Sequence, residues 1–257
     1  MNLLHRWRQL VSLAQDPRAI PEILFSPQFS FTSHRLVRTL YSVGVRPKTV
    51  IDVGANVGQF AVAAHRRFPD AAIHAFEPLE ECLRKLRDHR DHIPNLKVHA
   101  CALGDRDGFV EFRVNQSTLS SSILPLGNSH REAFPEATEV RTITVPLSRL
   151  DTVFDRVVLS PDVLLKLDVQ GYEAAVLAGA RALVRRVKWI VVEASVRPLY
   201  NGERTLLQIV EQLLPLDFEL THFVGALHSE ATGAIVQVDA LFERVRRGGE
   251  GLAPGIT

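Results

Sequence analysis

Asp52, Glu77, Asp168 and Glu193 each stand at or beside the end of an apolar run, where a carboxylate must be solvated, paired or functional. The first lies in Thr49-Val50-Ile51-Asp52-Val53-Gly54-Ala55-Asn56-Val57-Gly58-Gln59-Phe60, a strand-like run that breaks into small residues and resumes as a helix. Gly54 and Gly58 remove the Cβ atoms that would hold a ligand off the backbone. The helix opening near Val57 directs its free N–H groups at the same crevice. A nucleotide-type cofactor is held in this way, although strand-to-helix corners without a ligand share the pattern. Asp52, Gly54, Asn56 and Gly58 are the binding candidates here. Glu77 closes Ala72-Ile73-His74-Ala75-Phe76, 23 residues beyond Gly54, a spacing at which an acid takes both hydroxyls of a ribose. Its competing reading is a solvated strand-end carboxylate.

Asp168 closes Val163-Leu164-Leu165-Lys166-Leu167, and Lys166, two residues earlier on the same side, is placed to pair with it. Gly171 opens the next helix with Glu173 in its first turn, where the helix dipole alone favours a carboxylate by ~0.3–1 kcal/mol. Glu193 ends Trp189-Ile190-Val191-Val192, with a buried structural acid as its alternative. His130 and His222 complete the groups able to take a proton, and a lone histidine is more often structural.

The elements that must position these residues alternate. Strands are expected near 49–53, 72–77, 96–101, 163–168 and 188–193, and helices over 57–68, 79–90, 171–186 and 204–214. Continuous apolar strands alternating with helices predict an α/β domain whose parallel sheet is covered on both faces, with ligands at the strands' carboxyl ends. The interval 105–160 departs from this. Phe109–Val114 and Val140–Pro146 read as extra strands around a polar segment, Ser117–Arg131, long enough to be a lid or binding loop. Phe218–Phe223 and Asp239–Arg244 suit a final antiparallel pair.

Residues 1–47 form a helical preface broken by Pro17, Pro21 and Pro27, residues 48–247 the main domain, and residues 248–257 a frayed tail. The preface is locally basic, which suits an anionic substrate, a membrane surface or simply a solvated helix face.

At 257 residues and 28.7 kDa the chain suffices for one large domain, and 30 basic against 29 acidic residues exclude the global charge that gathers nucleic acid. Two cysteines, Cys82 and Cys101, offer no metal-ligand spacing and read as free thiols of a reducing cytoplasm. No secretory core is apparent, and no stretch approaches the roughly 20 apolar residues of a membrane span. A cytoplasmic protein with no metal, free to form a homo-oligomer, is expected.

Asp52-Val53-Gly54-Ala55-Asn56-Val57-Gly58-Gln59-Phe60, Phe76-Glu77-Pro78, Ala102-Leu103-Gly104-Asp105 and Lys166-Leu167-Asp168-Val169-Gln170-Gly171-Tyr172-Glu173 occur in that order. Together, over residues 48 to 245, they resemble the FkbM family of S-adenosylmethionine-dependent methyltransferases. The resemblance implies a class I, Rossmann-like methyltransferase sheet of seven strands with the last antiparallel. It also implies O-methylation of a hydroxyl on a sugar, glycolipid or natural product. The family commonly has a glutamate where this chain has Gln170, which removes a carboxylate from any metal site there.

On this reading Asp52 anchors the cofactor's ammonium and Glu77 its ribose, while Cys101 and Ala102 line the adenine. Asp168 also borders the cofactor and is the leading candidate base, ahead of Glu193 and Glu173. In-line placement of acceptor oxygen, methyl carbon and sulfur can supply ~7–11 kcal/mol, and a base about 10²–10⁴-fold. Two other functions share the physics. An NAD-dependent oxidoreductase would need the G-x-G-x-x-G order that Gly54-Ala55-Asn56-Val57-Gly58 lacks. A non-catalytic S-adenosylmethionine-binding scaffold would keep the fold without turnover.

Overall fold

The computed structural model describes residues 30–116, 118–127, 129–130, 139–229 and 232–245. Strand β1 (Thr49–Val53) is buried at all five positions. Ile51 and Val53 face one core layer and Val50 the other, as the two-residue period of a doubly covered strand requires. It pairs in parallel with β2 (Ala72–Phe76) on one side and β7 (Val163–Leu167) on the other. Beyond these lie β3 (Leu96–His99) and β8 (Val187–Ser195), both also parallel. The sheet ends in β10 (Ile235–Arg244) and β9 (Phe218–His228), in the order β3-β2-β1-β7-β8-β10-β9. β10 is antiparallel to both its neighbours, so the last strand alone reverses direction. This is the class I methyltransferase arrangement expected from the motifs.

Helix α1 (Phe31–Ser42) buries Leu36, Val37 and Leu40 in the same layer as Phe60, Ala61 and Ala64 of α2 (Gln59–Arg67). α3 (Glu80–Asp88) adds Leu83 and Leu86 to that layer. The opposite layer takes Leu150 of α4 (Leu150–Val153), Val176 and Leu177 of α5 (Glu173–Ala178), and Ile209 and Leu213 of α6 (Leu206–Leu213). Each Val, Leu, Ile or Phe side chain removed from water in this way contributes about 1.5–3 kcal/mol.

The extra strands are present: β4 (Ala102–Leu103), β5 (Gly108–Asn115) and β6 (Glu139–Ser148) form a second sheet in the order β4-β6-β5. Several expected elements are a residue or two shorter, and two are cut short for an evident reason. The strand drawn over 96–101 stops at His99, because Ala102–Leu103 leaves to pair with β6. The helix drawn over 171–186 ends at Ala178 and resumes as a 3-10 turn at Leu183–Arg186. Gly179 is the reason: a Cβ there would overlap the Gly104 carbonyl, so the chain closes on a second backbone and turns.

Of the preface, residues 1–29 lie outside the described residues, as does the tail expected at 248–257. No helix among the described residues is long and apolar enough to cross a membrane.

Candidate active site

A cleft of about 800 Å³, measured out to solvent, opens at the carboxyl ends of β1, β2 and β7. Gly54, Asn56, Glu77, Cys101, Ala102 and Asp168 line it. Lys166, Gln170, Phe60 and, from the long loop, Thr118, Ser121 and Ile123 complete much of the wall.

The near end is built locally. Gly54 takes φ +80, and a Cβ on it would collide with the Asp168 carbonyl. Its first task is therefore to let the ends of β1 and β7 close together. Asn56, at φ 49, sits in the left-handed region that asparagine tolerates. Its Oδ1 accepts the Val57 N–H at 2.8 Å and its Nδ2 reaches Thr118 Oγ1 at 3.2 Å. Glu77 is buried, and its two oxygens accept the N–H groups of Asn56 (2.9 Å) and Leu79 (2.8 Å). Burial pushes its carboxyl up to about 7, because the two N–H groups offset only part of the lost hydration.

Two expected cofactor residues are placed differently. Gly58 (φ +90) does not line the cleft; its missing Cβ makes room for Leu86 and His89 at the end of α3. Asp52 has no exposed surface and is ion-paired with Lys166 Nζ at 3.2 Å, so an ammonium from the protein already holds the place expected for the ligand's. Burial raises the Asp52 carboxyl above its ordinary range despite that lysine.

At the far end β7 brings Lys166 and Asp168 together at 3.1 Å, the pairing that their spacing anticipates. Burial alone would lower Lys166, but the two carboxylates outweigh it and hold the ammonium charged. Burial likewise works to raise Asp168; Lys166 and the Gln170 amide overcome it and keep this carboxyl below its usual range. Glu193 goes the other way, pushed well up by burial and by the neighbouring Asp168 and Asp239. It stands behind Gln170 rather than on the cleft wall.

Glu173 is also turned inward. Its Oε1 accepts the N–H groups of Val169 (2.9 Å) and Gly171 (3.2 Å), bracing the turn before α5, and burial raises it to about 8. Neither Glu193 nor Glu173 therefore offers an oxygen to the cleft as Asp168 does. His130 is buried 3.4 Å from the Tyr200 hydroxyl, and His222 is exposed on β9; neither lines the cleft. Among the described residues no group of three or more His, Cys, Asp or Glu is arranged to hold a metal ion.

Two features lay beyond the sequence reading. Tyr200, almost fully buried, touches Gln170 and the Ser120 carbonyl, and no motif surrounds it. Asp239 pairs in register with Glu193, and burial lifts it to about 6; the apolar pattern of β10 marks the strand but not this acid.

A reversed last strand and a cleft at the switch between β1 and β7 define a class I methyltransferase. Residues 52–223 match the Methyltransferase FkbM domain, and the chain belongs to that family, with S-adenosylmethionine as its cofactor. It is 29% identical over 218 residues to the 2-O-methyltransferase NoeI of Sinorhizobium fredii (strain NBRC 101917 / NGR234), covering 82% of this chain and 88% of that protein. It is 28% identical over 227 residues to the 31-O-demethyl-FK506 methyltransferase FkbM of Streptomyces tacrolimicus, covering 79% of each. Solved structures similar to it include magnesium protoporphyrin IX methyltransferase of Synechocystis PCC 6803 with bound SAH, at 11% identity, TM-score 0.45, and 87% and 91% of the two chains.

Proposed function

We propose that this methyltransferase acts on a hydroxyl of a sugar, glycolipid or natural-product acceptor, with Asp168 receiving the hydroxyl proton. One observation carries the reading: of the carboxylates at the far end, Asp168 lines the cleft and is also held ionised. The names of the two relatives, a 2-O-methyltransferase and a 31-O-demethyl-FK506 methyltransferase, support oxygen as the target atom.

The residues fit the cofactor. Each Glu77 oxygen spends one lone pair on a backbone N–H and keeps another for a ribose hydroxyl. Gly54 and Asn56 present backbone at the turn, and Cys101 and Ala102 give a small-residue wall for the adenine. Asp52 supports this set through Lys166 rather than by contact. When bound, S-adenosylmethionine supplies a methyl group already activated by a positive sulfur. What remains for the chain is to orient the acceptor oxygen and take its proton, which Asp168 does through Oδ2, on the lone pair left beside its Lys166 contact.

The test is tritium transfer from methyl-labelled S-adenosylmethionine to a panel of methyl glycosides and hydroxylated macrolactones. Labelled methyl ethers are expected. Tight cofactor binding with no transfer to any hydroxyl would favour a binding scaffold instead.

A further inference from the structure

Gln170 enters the sequence reading only as a place where a carboxylate is lacking, yet it makes more polar contacts than its neighbours. Its Nε2 donates to Asp168 Oδ1 at 2.9 Å and to Glu193 Oε2 at 2.8 Å. Its Oε1 accepts the Tyr200 hydroxyl at 2.8 Å, and its backbone carbonyl accepts the Ser122 hydroxyl at 2.6 Å. Asp168, held ionised, fixes which way the amide faces, since turned over it would set an acceptor oxygen against a carboxylate. The backbone at φ 57 is uncommon for a residue other than glycine, and these contacts hold it there.

The surroundings explain why a neutral donor belongs at this point. Asp52 faces the cluster from β1, Lys166 from β7, Glu173 from α5, Glu193 from β8 and Asp239 from β10, with Tyr200 at the back. Lys166 is the cation of the group, and its ion pairs go to Asp52 and Asp168. Glu193 relies on amides instead, from Gln170 and, at 3.3 Å, from Gln237.

We propose that Gln170 is a positioning residue for Asp168: its amide nitrogen ties Asp168 Oδ1 to Glu193 while Tyr200 and Ser122 anchor its other end, so that Asp168 turns Oδ2, which also meets Lys166 Nζ, to the acceptor. The proposal rests on Asp168 being the proton acceptor. A charged carboxylate in place of the amide would keep the Tyr200 contact and lose the donor, setting a second negative charge against Asp168. A protonated one would donate again.

Carboxyl-carbon NMR of the full chain, labelled with carbon-13 at Asp and Glu side-chain carboxyls, needs no acceptor and reads this tie directly. The Asp168 signal is identified by its loss in Asp168→Asn. Its midpoint should move up by about one pH unit or more in Gln170→Met. Gln170→Glu, which keeps the shape should the methionine variant fail to fold, should move it further.

With any glycoside the wild-type enzyme methylates, Gln170→Met should lose up to about 100-fold in turnover at neutral pH. Gln170→Glu should lose at least as much and fall further as pH drops, because Asp168 with its raised midpoint takes up the proton, while both bind S-adenosylhomocysteine within about twofold of wild type. An Asp168 midpoint unmoved in both variants would overturn the tie. A moved midpoint beside an Asp168→Asn variant of wild-type turnover would instead overturn the catalytic reading on which the proposal rests.

Discussion

The two ends of the cleft solve the same problem, holding a carboxylate in a dry place, by different means. Glu77 is held by backbone N–H groups of Asn56 and Leu79, both from adjoining turns. Asp168 is held by side chains, Lys166 and Gln170, which are themselves braced from β1, β8 and the long loop. Backbone donors survive substitution by any residue but proline and leave the acid close to its proton-binding midpoint at neutral pH. Side-chain donors drive the acid to full ionisation but make it depend on residues scattered through the chain. The first arrangement suits recognition of a constant group, and the second suits chemistry that needs a charge at a fixed point.

Exchanging the carboxylate at each end should break different things. Asp168→Asn keeps the shape but cannot take a proton, so turnover should fall by about 10²–10⁴-fold with cofactor affinity little changed. Steady-state kinetics beside calorimetry of S-adenosylhomocysteine would check this; wild-type turnover would assign the proton to another group. Glu77→Ala should do the reverse. Losing charge-assisted hydrogen bonds of ~1.5–3 kcal/mol weakens cofactor binding by roughly 10- to 150-fold, and turnover at saturating cofactor stays close to wild type. An unchanged calorimetric affinity would remove Glu77 from the cofactor site.

The same contrast decides how much could be read in advance. The Glu77 end is local, so its strand, glycine turn and acid were legible as a spacing, and the reversed last strand followed from the family motifs. Tertiary contacts decided the remainder. Gly58 reads as ligand clearance but serves α3, because Leu86 and His89 come to lie against it. Asp52 reads as an ammonium anchor and is one, except that the ammonium is Lys166, 114 residues further along the chain. Glu173 and Asp168 look alike in sequence, five residues apart. A turn that needed two N–H groups capped took the former inward. Tyr200 carried no signal because its partners, Gln170 and Ser120, meet it only on folding.

Titration sharpens the comparison with a smaller effect. Burial puts Glu77 at about 7 in the free protein, and ribose hydroxyls donate to its ionised form. Cofactor binding should therefore release a proton, and affinity should rise as pH increases towards 7, by up to about tenfold per unit, before levelling off. Asp168, held low, contributes no such slope in this range. Calorimetry from pH 5.5 to 8.5 on wild type and Glu77→Gln should show the slope in the first and its loss in the second. Equal slopes would place the titrating group elsewhere.

The smallest effect should come from the tether between the ends, the loop whose Thr118, Ser121 and Ile123 face the cleft. Ser122 is buried; its hydroxyl donates to the Gln170 carbonyl at 2.6 Å and accepts the Leu124 N–H at 3.0 Å. Ser122→Ala removes both bonds and frees the loop from the Asp168 end, while Asn56 Nδ2 still reaches Thr118 at the other. The half-buried Leu124 N–H can turn to water, so the net loss is that of the Gln170 bond, ~0.5–1.5 kcal/mol, and amide exchange over residues 118–127 should quicken by roughly 2- to 13-fold. Exchange at Asn56 and Leu79, whose N–H groups hold Glu77, should not change, and neither should affinity for S-adenosylhomocysteine. In the wild type the same loop should exchange more slowly once S-adenosylhomocysteine and acceptor are both bound, because a loop fastened to Gln170 closes on the acceptor rather than on the cofactor. Exchange over 118–127 that is equal in the free protein, the ternary complex and Ser122→Ala would mean that the loop is part of the rigid wall.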